Sequence, residues 1–64
     1  MSEYERIMLE CRYLLSLNKN YYDLANIFNV SVDDVYNDLN VKLPIIDTIL
    51  YNRVNKVLKK INSS

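Results

Sequence analysis

The stretch from Tyr21 to Leu39, YYDLANIFNVSVDDVYNDL, constrains this chain more than any other. Leu24, Ala25 and Phe28 fall on one face of a helix. Asn29 stands where the chain must turn sharply. Val30 anchors the turn, Ser31 is placed to cap the next helix, and Val35 and Leu39 face back toward the first one. A helix that ends this abruptly needs a left-handed residue, usually glycine, and asparagine is the next best choice. The chain has no glycine, so Asn29 takes that role. Ala25 is the only alanine, and its small side chain lets the following helix approach closely.

The remaining pattern is also helical, and nothing reads as a strand. Ser2 with Glu5 forms a capping box, and Tyr4, Ile7, Met8, Cys11, Leu14 and Leu15 then repeat at helical spacing. Leu17 to Asn20 reads as a connection. Asn20 caps the second helix, with Asp23 in its first turn, where negative charge is favourable. Ser31 and Asp34 form another capping pair. Val41, Leu43 and Pro44 read as a short extended connection, because proline disfavours helix at the residue before it. The last helix starts near Asp47, with Leu50, Val54, Val57, Leu58 and Ile61 as its apolar face. Ile46 and Tyr51 are spaced as a hydrophobic staple across that cap. The expectation is an all-α fold of four helices, about 2–17, 21–28, 32–39 and 47–62, in one domain spanning 1–64.

The bulk properties exclude several classes. With 64 residues the chain makes one small domain, and such a domain buries only about 60% of the surface its unfolded chain exposes. Half of the residues are hydrophobic, which favours folding over disorder. A lone cysteine, Cys11, gives no internal disulfide and fits a reducing cytoplasm; its place on an apolar face reads as core packing. No apolar run approaches about 18 residues and no leader pattern is present, so neither a membrane span nor a signal peptide is expected. Histidine is absent. Without it, a zinc site or a Ser-His or Cys-His pair is not expected, nor is a cofactor, a small-molecule substrate or an enzyme activity. The abundance of Asn, Ile, Lys and Tyr suggests an AT-rich bacterial or phage genome.

Charge is zero overall but unevenly placed. Met1 to Asp38 holds seven acidic and three basic residues, and Leu39 to Ser64 holds one acidic and five basic. The two parts therefore carry −4 (3 − 7) and +4 (5 − 1). Such asymmetry points to nucleic-acid contact through one end, or simply to a solvated basic helix.

From Tyr4 to Ile61 the chain resembles the stage III sporulation protein D family, small bacterial DNA-binding transcriptional regulators. The resemblance is carried above all by V-S-x-x-x-V-x-x-D-L-x-x-x-L-P, here Val30, Ser31, Val35, Asp38, Leu39, Leu43 and Pro44. It implies a helix-turn-helix whose third helix enters the major groove, a basic C-terminal part on adjacent DNA, and binding without an obligate dimer. Two departures stand out. Family members carry lysine, hydroxyl and histidine residues along the recognition helix, where this chain has Val32, Asp33, Asp34, Tyr36 and Asn37. Members also continue into a basic, glycine-containing tail.

The candidate contacts each have a structural and a functional reading. Asp33 and Asp34 favour the dipole of the third helix and complete its cap. Alternatively an Asp accepts from a cytosine amino group, or the acidic surface meets a protein partner instead of DNA. Asn37 pairs with adenine or is merely exposed. Tyr36 touches a phosphate or a thymine methyl, or covers the surface. Tyr21 and Ser31 sit at helix starts, where hydroxyls and N–H groups meet phosphate. Val32, Asp33, Asp34 and Tyr36 together are the motif that a protein partner would read. Lys19, Lys42, Arg53, Lys56, Lys59 and Lys60 are the candidate cations. The expected function is a cytoplasmic, sequence-specific duplex DNA-binding regulator. Its rival is a protein-interaction module that keeps the helix-turn-helix scaffold.

Overall fold

The computed structural model describes residues 1–63, with side chains described as far as Ile61. The fold is all-α, with no strand among the described residues. Helix α1 covers Glu3–Leu17, α2 Tyr21–Phe28 and α3 Val32–Asn37. A π-helical turn, Asp38–Lys42, carries α3 without interruption into the short α4, Leu43–Ile46, and α5 covers Thr48–Ser63.

Local chemistry sets the helix ends. The Ser2 hydroxyl accepts the Glu5 N–H and opens α1. Asn20 and Asp23 cap α2 reciprocally, and Ser31 and Asp34 do the same for α3. Each reciprocal pair satisfies backbone donors that a helix start leaves without partners. Asp47 opens α5 by accepting the Leu50 N–H at 3.0 Å. In a chain without glycine, asparagine closes two helices. Asn18 (φ 54°) ends α1 and Asn29 (φ 55°) ends α2, both left-handed.

The core is one cluster. Ile7, Cys11 and Leu14 of α1 meet Leu24 and Ala25 of α2, Val35 of α3, Leu39 and Leu43 of the following segment, and Val54 and Leu58 of α5. Met8, Leu15, Phe28, Leu50 and Val57 pack around it half-buried. Tyr4, expected on the core face of α1, is instead exposed. It lines the open groove between the start of α1 and α4.

The largest correction concerns Val41 to Pro44. The expected extended connection is helical, with Leu43 itself at φ −59° and ψ −43°. Leu39 and Leu43 are four residues apart and both fully buried, and only a helical path keeps them on one face. The Leu43 N–H bonds the Asp38 carbonyl, five residues back. This wider turn relieves the pressure of the Pro44 ring on the carbonyl four residues earlier. Pro44 then occupies the first turn of α4, where a missing N–H matters least. The third helix accordingly leaves α geometry after Asn37, not at Leu39.

Candidate nucleic-acid interface

The turn between α2 and α3 is a Schellman closure. The Val30 N–H reaches back to the Ala25 carbonyl at 3.0 Å, and the Asn29 N–H to the Asn26 carbonyl at 3.3 Å. Three residues separate the helices, and α3 packs directly on α2. Buried Ala25 and Val35 lie in the same core cluster.

With Val35 turned inward, α3 presents Asp33, Tyr36 and Asn37 to solvent, at the i, i+3, i+4 spacing of one stripe. Val32 is half-buried against the core, and Ser31 is exposed and occupied by its capping bonds. Asp34 is likewise exposed, and its carboxylate accepts the Ser31 N–H.

Two of the candidate contacts are brought together. The rings of Tyr21 and Tyr36 meet edge to face, with centroids 5.8 Å apart. Asn40 ties them in place. Its Nδ2 donates to the Tyr21 hydroxyl at 2.8 Å and to the Tyr36 carbonyl at 3.1 Å. Burial pushes the Tyr21 phenol up, and the bond from Asn40 opposes this. Asn40 was not among the sequence candidates, although it lies four residues beyond Tyr36 on the same stripe.

The cations fall in three places. Arg53, Lys56, Lys59 and Lys60 are exposed on α5, opposite the core face formed by Val54 and Leu58. Lys19 is half-buried in the α1–α2 connection. Lys42 is already engaged, in an ion pair with Glu3 of α1 and 3.6 Å from Asp38. These two acids compete with any phosphate for Lys42.

Beneath this surface lies a polar cluster that the candidate residues did not include. Asp38, at the start of the π turn, is fully buried. Arg6 of α1 grips it with both ends of its guanidinium, Nε to Oδ2 at 2.9 Å and Nη2 to Oδ1 at 3.0 Å. Glu10, one turn further along α1, is also fully buried. Its Oε2 lies 3.9 Å from the Arg6 Nε, beyond hydrogen-bond range, and neither of its oxygens receives a donor. Burial pushes the Glu10 carboxyl up to about 8, helped by the neighbouring Asp38 carboxyl, while Arg6 and Lys42 pull the other way.

An exposed apolar corner completes the surface. Ile45 and Ile49 are 84% and 77% exposed, and a groove of about 350 Å³ lies between α4 and the start of α1, lined by Glu3, Tyr4, Ile7, Lys42, Ile45 and Ile46. No described helix is long and apolar enough to cross a membrane. Comparison with known proteins gives no match to any family model, curated protein or solved structure.

Proposed function

We propose that this chain is a sequence-specific duplex DNA-binding transcriptional regulator. The observation that carries the reading is the α2–Asn29–α3 unit. It combines a left-handed asparagine, a Schellman closure and a reciprocal cap, with α3 held by Val35 so that Asp33, Tyr36 and Asn37 point away from the core. Such a unit suits insertion of one short helix in a major groove. Asn37 would read an adenine edge, and the Tyr21–Tyr36 pair would pack on the sugar-phosphate wall. Arg53, Lys56, Lys59 and Lys60 on α5 would neutralise flanking phosphates. The resemblance to the sporulation regulators runs in the same direction, and a cytoplasmic site of action goes with it.

The test is fluorescence anisotropy with an AT-rich duplex library, at about 50 and about 200 mM salt. Saturable binding that weakens with salt supports the reading, and the enriched sequences give the operator. No binding by folded protein at the lower salt overturns it.

A second reading, a protein-interaction module on the same scaffold, is favoured by specific features. The first turn of α3 carries Asp33 and Asp34 and no cation, Lys42 is paired with Glu3, and Ile45 and Ile49 are exposed. The variant Asp33→Lys separates the two readings, because it leaves the Ser31–Asp34 cap intact. DNA binding that arises only in this variant favours the protein partner.

A further inference from the structure

We propose that Glu10 is a proton-carrying latch: as the neutral acid it donates its hydroxyl hydrogen to Asp38, fastens α1 to the turn that follows α3, and lets go when it ionises. The geometry leaves Glu10 little choice. It is fully buried, and both of its oxygens lack a donor. The nearest cation, Arg6, is already committed to Asp38 through two hydrogen bonds. The hydrogen bond open to Glu10 is therefore one that it donates itself. A buried carboxyl pair facing one committed guanidinium, with the Lys42 ammonium shared with Glu3, holds one proton rather than none.

Arg6 and Lys42 favour the ionised form, but both are engaged with other carboxylates. From the π turn, Lys42 lies 3.6 Å from Asp38 but is shared with Glu3. From α3, Asp34 acts on Arg6, not on Glu10. Along α1 the neighbouring Cys11 is a neutral thiol, kept so by burial. Leu43 at the start of α4, and Val54 and Leu58 on the core face of α5, carry no charge. Ionised Glu10 would thus add a second carboxylate to a dry site. Repulsion would act first on Asp38, where α geometry already gives way to the π turn. Because α3 runs into that turn without a break, the far end of α3 is tied to the proton.

The sign follows from linkage. The folded chain keeps the Glu10 proton to about pH 8, whereas the unfolded chain releases it near the ordinary value of 4.5. Between these limits unfolding releases a proton, so the unfolded-to-folded ratio rises about tenfold per pH unit. The chain has no histidine to add a slope of its own in this window.

The experiment is urea unfolding of the full chain at about pH 6, 7 and 8, beside Glu10→Gln, which keeps a neutral donor of similar shape. The expected result is a midpoint that falls steadily with pH in the parent and stays level in the variant. A level midpoint in the parent, or an equal fall in a folded variant, overturns the proposal. Should Glu10→Gln not fold, NMR titration of the Glu10 side-chain carboxyl in the parent decides. A midpoint above about 7 supports the latch, and one in the ordinary carboxylate range sinks it.

Discussion

Arg6 and Asp38 stand 32 residues apart in the chain and are joined by two parallel hydrogen bonds, at 2.9 and 3.0 Å. This fork is a polar tie between α1 and the end of α3, and its carboxylate half is wholly withdrawn from water. Bidentate guanidinium–carboxylate pairs are geometrically demanding, so the fork fixes orientation as well as distance. It helps set the angle at which α3 leaves the core.

Arg6→Met tests how far the fold relies on that tie. The substitution keeps an unbranched chain but strands Asp38 beside Glu10. Breaking a buried ion pair from one side costs about 3–5 kcal/mol. Arg6 keeps 26% of its side chain in water, which places the expectation at the lower end, about 3 kcal/mol. A domain of this size has little more to lose. Chemical denaturation should show a large fall in midpoint; a change within about 0.5 kcal/mol, typical of an ordinary surface site, would contradict the role given to the fork.

The turn makes a second, independent prediction. Asn29 holds φ at 55° and ψ at 49°. Asn29→Ala should cost about 1–2 kcal/mol, because a Cβ without a polar group has no compensation in the left-handed region. Asn29→Gly should be neutral or slightly stabilising, since glycine adopts that region without strain. If alanine proved as stable as glycine, the Schellman geometry of this turn would be wrong.

The contrast between these two sites explains what was legible in the sequence. Asn29, the Ser31–Asp34 cap and the Leu24, Ala25, Val35 and Leu39 core were readable because helix ends and helix faces are local chemistry. The path through Lys42 to Pro44 was not. A pre-proline rule argues for extended backbone there, and only burial of Leu43 beside Leu39 overrides it. Glu10 carried a signal that passed unused, lying three residues after Ile7 and four before Leu14, squarely on the apolar face. Its partner could not be read, because the Asp38 contact depends on how α1 crosses the π turn. Lys42 illustrates the same limit: its charge is visible in the sequence, but its pairing with Glu3 is tertiary.

Cys11 offers a probe of global opening. It is fully enclosed by the core, and burial, with Glu10 next to it, pushes its thiol up to about 12. At pH 8 the folded thiol should be almost unreactive, with a thiolate fraction on the order of 10⁻⁴, against roughly 10⁻¹ in the unfolded chain. Ellman's reagent should then label Cys11 only as fast as the protein opens, and added urea should accelerate labelling in step with unfolding. Immediate labelling of the native protein would place Cys11 outside the core.

The division of cations between α5 and the Glu3–Lys42 pair makes the DNA reading quantitative. Each phosphate neutralised steepens the slope of log affinity against log salt by about 0.9 on B-form DNA. If Lys56 and Lys59 both meet phosphate, Lys56→Ala with Lys59→Ala should weaken binding and flatten the slope by about 2. Lys42→Ala should leave the slope unchanged, because the pair with Glu3 already holds its charge. Asn37→Ala should act differently again, reducing preference for one base pair by about 1–3 kcal/mol while sparing the salt slope. Anisotropy titrations across a salt series distinguish these three signatures. A steep slope carried by Lys42, with the α5 lysines silent, would mean that the DNA lies over the start of α1, and the docking arrangement proposed for α3 and α5 would have to be abandoned.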